Sequence, residues 1–371
     1  MSETLGSTLG TKLKQARLAV GSSTRLVGQH LGLSHVTLAN YENGKTTPTM
    51  EVLAKLASLY ERPMTWFLTK GRILTGIRYR NRKSKVSGRE LTSFEASAQT
   101  WLEAYRRLDD WLEDHGHDRL KRDLEPPALA HLPGKQIADK LRQCLGLTND
   151  DPIPSVVEVL ERLGVRVIEL LTHLDVDAMA ARLDDDWVVV LNSAVPNDRA
   201  RMNAAHELGH LLLSHCHDHR ESPDDEKKAY DFASHFLITK KMLDEAFRGK
   251  SMVRLIQYKE RFGISLAAMI YRAKTDGILA ESEARFLWIE FSKRGWRNRE
   301  PGRVKADRAT RFEQLLDSAV TNRMFTWPEA ASLTGVREED LLQRVRYAAG
   351  AHEPPAAPQK GGLDQMFRLV K

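Results

Sequence analysis

Through the first seventy residues the apolar positions fall at helical spacing in short bursts. Leu13, Leu18, Val27, Leu31 and Leu38 recur across helices broken by Gly21 and Gly32. Ser23 is placed to cap a helix running to Leu31, and Ser34 to cap a second running to about Asn43. Gly44 stops that second helix and Pro48 prevents its restart, while Val52, Leu53, Leu56 and Leu59 predict a closing helix. Farther on, Phe94, Trp101, Leu102, Tyr105, Leu108 and Leu112 recur at helical spacing, which predicts a helix over 91–120. Helices are expected over 135–146 and in DPIPSVVEVLERLG. The period then falls to two: VRVIEL predicts a strand, and DAMAARL with DWVVVLN predicts a hairpin around Asp184–Asp186. Helical spacing returns in RARMNAAHELGHLLLS and in DDEKKAYDFASHFLI, whose apolar face is Ala229, Phe232, Ala233, Phe236 and Leu237. A further helix, three short ones and a Pro-rich tail complete the chain. The expected class is α+β, predominantly helical, with a small antiparallel sheet.

A chain of 371 residues suits two or three domains, and 42% apolar with 29% charged residues excludes wholesale disorder. Two cysteines, Cys144 and Cys216, exclude a disulfide framework. The opening residues are polar, and no apolar run approaches the roughly 18 residues that span a bilayer, so a soluble, cytoplasmic protein without a membrane partner is expected. Charge changes the picture more. Residues 1–90 carry fifteen Lys and Arg against five Asp and Glu, and the remaining 281 carry 41 against 45. The whole positive excess lies in the N-terminal quarter, which points to a nucleic-acid-binding module. Within it, residues 70–89 hold eight basic residues and no acid, fitting either a solvated linker or an arm that tracks phosphates.

Two short helices joined by a tight Gly-containing turn make a helix-turn-helix. The run LGLSHVTLANYENGKTTP resembles the Cro/C1-type (XRE) repressor domain in its Gly-apolar-Ser turn, its apolar Leu38, its Tyr-Glu-x-Gly ending and its later Pro. The resemblance covers roughly residues 10–68. It implies operator DNA as partner, a homodimer, and a second helix whose N-terminal residues read base edges in the major groove. Carried over, His35, Val36, Thr37 and Asn40 face bases, and Thr24, Asn43 and Lys45 contact phosphate. Asn40 suits bidentate reading of adenine and Val36 suits a thymine methyl. Gly28 stands where the family usually has Ala, and is expected to loosen its helix by up to about 1 kcal/mol.

The segment His206-Glu207-Leu208-Gly209-His210 is an HExxH motif. Positions i and i+4 share a helix face, so both imidazoles converge on one cation, and two imidazole nitrogens suit Zn2+. Glu207, next to the ligands, is placed to act as general base toward a water attacking a peptide carbonyl. A zinc hydrolase needs a third protein ligand. His217 faces the side of His210 but lies about 10 Å along the axis, and His215 points roughly 140° away. The metzincin spacing, which needs an intervening Gly, is absent. Cys216 is expected to be structural. Glu226, one turn before Ala229, is able to point toward the HExxH helix.

HELGHLLLSH followed by EKKAYDFASHFLI resembles the ImmA/IrrE family of metallopeptidases, as do the strand ending at Asn192 and RFGISLAAMIYRAKTDGIL, over about residues 150–280. The resemblance implies a gluzincin-like site with His206, His210 and Glu226 as ligands and Glu207 as base. Lys228-Ala229-Tyr230 and Thr239-Lys240 depart from the family pattern and alter the cleft wall. Tyr230, His217, Tyr271 and Arg272 are candidates for the cleft and for stabilising an oxyanion. The expected organisation is a helix-turn-helix domain over 8–69, a basic linker over 70–90, a helical connector over 91–149, a metallopeptidase domain over 150–280, a helical C-terminal domain over 281–348 and a flexible tail over 349–371. The implied function is regulation of transcription by site-specific cleavage of a helix-turn-helix repressor, in trans or in cis, in a stress, phage, mobile-element or defence response. The alternative is an XRE-type transcriptional regulator or antitoxin whose metallopeptidase-like domain senses a ligand or partner without turnover.

Overall fold

The computed structural model describes residues 5–69, 71–81, 86–112, 129, 132–184, 186–213, 223–249 and 251–350. The expected tail, apart from 349–350, lies outside them, as do residues 113–120 of the helix expected over 91–120. The fold is predominantly helical with one small sheet. At the N-terminus, α1 (Leu5–Ala19), α2 (Thr24–Leu31), α3 (His35–Glu42), α4 (Met50–Leu59) and α5 (Met64–Phe67) close around Leu13, Val27, Leu38, Leu56, Trp66 and Phe67. The expected caps form: Ser23 Oγ accepts the Leu26 N–H and Ser34 Oγ accepts the Thr37 N–H. Gly28 does more than loosen its helix. A Cβ there would meet the Leu33 carbonyl at 2.6 Å, so glycine is what allows α2 and α3 to turn so tightly. On the buried side of α3, Glu42 takes a two-pronged bond from Arg17 of α1 at 2.6 and 2.8 Å.

This domain is tied to the rest of the chain through a buried carboxylate. The long helix α6 (Gly88–Leu112) carries Glu103, fully buried. Glu103 pairs with buried Lys12 of α1 and accepts from Gln99 at 3.0 Å, Gln15 at 3.4 Å and the backbone N–H of Arg72 at 3.4 Å. Burial pushes the Lys12 ammonium down to about 8, against the opposing pull of Glu103.

Four strands, β1 (Leu74–Asn81), β2 (Arg166–Leu170), β3 (Val176–Leu183) and β4 (Asp186–Asn192), lie in the order β1-β3-β4-β2. The β3–β4 hairpin forms as expected, but the sheet is mixed rather than antiparallel, because β2 runs parallel to β4. The chain leaving β2 crosses the end of β4 before entering β3. Asn192 holds that crossing: its Oδ1 accepts the N–H groups of Thr172 and Ala194 at 3.3 and 3.0 Å, and its Nδ2 donates to the Val176 carbonyl at 2.9 Å. Residues 70–90, expected as a basic linker, supply β1 instead. It pairs antiparallel with β3, with Arg78 opposite Ala180, Tyr79 opposite Met179 and Arg80 opposite Ala178. Alternation explains the difference, since Ile77 and Tyr79 pack on an apolar core while Arg78 and Arg80 take the opposite face.

Each face of the sheet supports a helical layer. Val167, Ala178, Ala180, Val189 and Leu191 join the core beneath α9 (Asn197–Leu212), which follows α7 (Gly134–Cys144) and α8 (Val156–Arg162). Above that layer lie α10 (Pro223–Leu237), α11 (Lys240–Phe247), α12 (Met252–Phe262), α13 (Leu266–Thr275) and α14 (Glu281–Lys293). The other face carries Ile168, Met179, Val188 and Val190 against α6 and the C-terminal helices α15 (Arg311–Thr321), α16 (Trp327–Thr334) and α17 (Glu338–Ala348). Those C-terminal helices therefore pack on the sheet. No helix among the described residues is long and apolar enough to cross a membrane.

In α8, burial pushes the Glu161 carboxyl from 4.5 up to about 8, although Arg311 favours its ionised form. The folded value exceeds the unfolded one, so the native state binds more protons across that window and stability falls as pH rises through it. Glu161→Gln is expected to raise the urea midpoint at pH 8 and leave it unchanged at pH 4. Equal midpoints for both proteins at pH 8 would contradict a neutral buried carboxyl.

Candidate metal centre and nucleic-acid interface

The HExxH residues lie in the C-terminal half of α9, buried on nearly every side. His206 and His210 are one turn apart, and their Nε2 atoms are 3.0 Å from each other. Glu226, in the first turn of α10, places one carboxylate oxygen 3.2 Å from His206 Nε2 and the other 3.1 Å from His210 Nε2. Two glycines make this approach possible. A Cβ on Gly209 would lie 2.9 Å from the Phe232 ring and 3.1 Å from the Ala229 carbonyl, so α10 crosses α9 against bare backbone. A Cβ on Gly134 would lie 2.6 Å from the Lys228 carbonyl, so α7 packs as closely on α10. Ala229 is one turn past Glu226 and Gly209 is beside His210. The helix contact therefore delivers the carboxylate to the imidazoles.

The protonation states suit a cation. Burial pushes the His206 imidazolium down, favouring the neutral ring. Hydrogen bonds from His206 and His210 hold the Glu226 carboxyl well below the usual carboxylate range. Neutral imidazole and ionised carboxylate are the forms that bind metal. Tetrahedral zinc bonds of about 2.0–2.1 Å put neighbouring ligand atoms about 3.3 Å apart, close to the separations here. His206, His210 and Glu226 thus fit one small divalent ion.

Around this cluster runs a cleft of about 1210 Å³ that also takes in Glu207, Tyr230 and Tyr271. Glu207 is buried, with its Oε2 3.7 Å from Arg78 Nη2. Tyr230 and Tyr271 meet edge to face, their ring centroids 6.0 Å apart. Burial pushes the Tyr230 phenol up, keeping it a hydrogen-bond donor. His217 lies outside the described residues. Arg272 does not belong to the cleft. It is buried, its Nη1 donates to the Ser234 and Ile238 carbonyls at the end of α10, and its Nε donates to Asp276 at 3.2 Å. A cation there satisfies orphan helix carbonyls, so its guanidinium is consumed structurally.

Sequence reasoning missed the two arginines of β1. Arg80 Nε donates to Asn203 Oδ1 at 2.9 Å, and its Nη1 is 3.8 Å from Glu226 Oε2. Another part of the lining comes from the segment after α14. Glu300 accepts the Leu266 and Ala267 N–H groups at 2.7 and 3.0 Å, capping α13. Lys259 holds Glu300 and Asp198 at 2.8 Å each. The only early signal for β1 was period-two alternation hidden inside a basic run.

On α3, His35 and Val36 are exposed, Thr37 and Asn40 are half-buried, and Leu38 and Glu42 face inward. Asn43 and Lys45 are exposed just past the helix, and Thr24 begins α2 half-buried. The Thr37 hydroxyl is 2.8 Å from Ser34 Oγ, so it supports the cap as well as the reading face.

Residues 160–274 match the model of the IrrE N-terminal-like domain, a peptidase family, and residues 13–67 match a helix-turn-helix model. The chain therefore joins an XRE-type DNA-binding domain to a metallopeptidase-like domain. No curated protein matches it. β1 and the segment carrying Glu300 lie outside both matched spans.

Gly209→Ala is expected to destabilise the protein by about 1–3 kcal/mol through overpacking, measured by urea unfolding. A change below about 0.5 kcal/mol, the range of neutral surface substitutions, would mean that α10 has room to spare.

Proposed function

We propose that this chain is a DNA-binding zinc metallopeptidase that regulates transcription by cutting a helix-turn-helix repressor, in trans or in cis. The observation that carries the reading is the convergence of His206, His210 and Glu226 beside the buried carboxylate of Glu207. His206, His210 and Glu226 would hold the ion, which when bound supplies Lewis acidity to a peptide carbonyl. Glu207 takes the proton of the attacking water and returns it to the leaving amine. Arg78 stands beside it, with its Nη2 3.7 Å from Glu207 Oε2. Tyr230 and Tyr271 are the cleft donors available to a developing oxyanion. Val36 and Asn40, four apart on α3, are the proposed base readers, with His35 and Thr37 beside them; Thr24, Asn43 and Lys45 are proposed to grip phosphate. A homodimer would match the two half-sites that such domains read.

Purified protein is expected to hold about one zinc per chain, as a single set of three protein ligands implies, and His206→Ala to lose it. Stoichiometric metal in that variant would overturn the ligand assignment. Glu207→Gln is expected to keep the metal and abolish cleavage of a co-expressed adjacent repressor, or of the chain itself, followed by intact mass. Equal cleavage by both proteins would remove the proposed base. Asn40→Ala should weaken operator binding by roughly five- to hundredfold, the loss of one bidentate base contact, with zinc content unchanged. Unaltered affinity would move the reading face elsewhere.

A further inference from the structure

β1 lies outside both family spans, yet it brings two guanidinium groups to the proposed catalytic cleft. Its register explains how. Arg78 and Arg80 sit opposite Ala180 and Ala178, small residues on the face that packs under α9. The long side chains therefore lie across that face and reach Glu207 and Glu226 at 3.7 and 3.8 Å. Neither distance is that of a hydrogen bond. Arg80 does make one firm bond, from Nε to Asn203 Oδ1. That bond fixes the amide, and it leaves Asn203 Nδ2, a buried donor in the cleft lining, with no hydrogen-bond partner among the described residues. A buried donor beside a guanidinium is a combination that a carboxylate completes.

The remaining charges point the same way. Seven cationic side chains line the cleft against five carboxylates. Three of those carboxylates are already engaged: Asp177 with Arg199, and Asp198 and Glu300 with Lys259. The other two, Glu207 and Glu226, belong to the metal cluster and its base. Three of the seven, Arg297, Arg299 and Arg303, lie close together on the segment that follows α14. The cleft is thus a positively charged channel with a carboxylate-sized set of donors at the reactive end.

We infer that the cleft selects an acidic peptide segment, with Arg80, Asn203 and Arg78 receiving an Asp or Glu side chain next to the scissile bond. The inference rests on reading the cleft as a peptidase site, and it makes Arg78 and Arg80 specificity-determining residues. Charge attracts the segment along the channel, while the planar fork of Arg80 and the Asn203 amide orient one carboxylate.

The test uses zinc-loaded full-length Glu207→Gln protein and two fluorescein-labelled twelve-residue peptides, one with Asp and Glu flanking a central Leu-Ala, the other with Asn and Gln. Anisotropy should show the acidic peptide binding at least tenfold tighter, with affinity falling as salt rises. Adding Arg80→Gln or Arg78→Gln should collapse that preference, and Arg80→Lys should restore part of it, all compared at equal zinc content. Equal affinity for the two peptides overturns the inference. So does a rise in affinity for both peptides in the Gln variants, which would make β1 a plug. Displacement of the acidic peptide by an oligothymidylate of equal charge at equal concentration also overturns it, in favour of a nucleic-acid channel. Wild-type protein separates the two levels. If it cleaves neither peptide while the Glu207→Gln protein keeps the preference, the peptidase reading falls and the acidic selectivity stands. If it cleaves both with the same KM and kcat, the peptidase reading stands and the selectivity falls.

Discussion

The backbone contact between Gly209 and Ala229 is the constraint on which the candidate metal centre depends. A gluzincin-like ligand set needs a carboxylate from a second helix, and helix axes separated by ordinary side chains would leave it too far away. Here α9 offers no side chain at the crossing, and α10 meets it with an alanine. Glu226 then falls one turn before the contact and the two imidazoles flank it on α9. Gly134 of α7 repeats the device, so the carboxylate-bearing helix is held close by two neighbours. The sheet supplies the platform, because Ala178, Ala180, Val189 and Leu191 form the floor under α9.

A second constraint links the DNA-binding domain to that platform. Glu103 is shared among Lys12 and Gln15 of α1, Gln99 of α6 and the backbone of Arg72, just before β1. A buried ion pair of this kind is weak evidence for added stability, but removing one partner costs about 3–5 kcal/mol. Its structural effect is to fix where the chain leaves the helix-turn-helix domain. Two residues later β1 begins, and four residues after Leu74 it delivers Arg78. The segment between the two matched domains is thus a wall of the cleft, anchored at one end to the DNA-binding domain.

Features written in local chemistry were legible in the sequence. Ser23, Ser34, Gly32 and Gly44 punctuate the helix-turn-helix, and the i, i+4 histidines define a metal-binding face without reference to the rest of the chain. Glu226 was reached through a family resemblance, since its distance to the imidazoles depends on how two helices cross. Nonlocal pairing was harder. The alternation of Ile77 and Tyr79 with Arg78 and Arg80 looked like a charge run, because the polar face of that strand is entirely basic. The parallel β2–β4 pair depends on a crossing held by Asn192, whose side-chain bonds no pattern announces. Arg272 carries the right charge for a cleft, but the carbonyls it satisfies belong to another helix. Gly28 looked like a weak helix residue because the Leu33 carbonyl that excludes a Cβ comes from the next turn of chain.

X-ray absorption at the zinc edge tests the centre most directly, because it reports the ligand atoms themselves. Two imidazole nitrogens with oxygen donors at about 2.0–2.1 Å are expected in the wild-type protein, and loss of the zinc edge itself in His206→Ala. Sulfur at about 2.3 Å, or an imidazole count unchanged by that substitution, would contradict this ligand set.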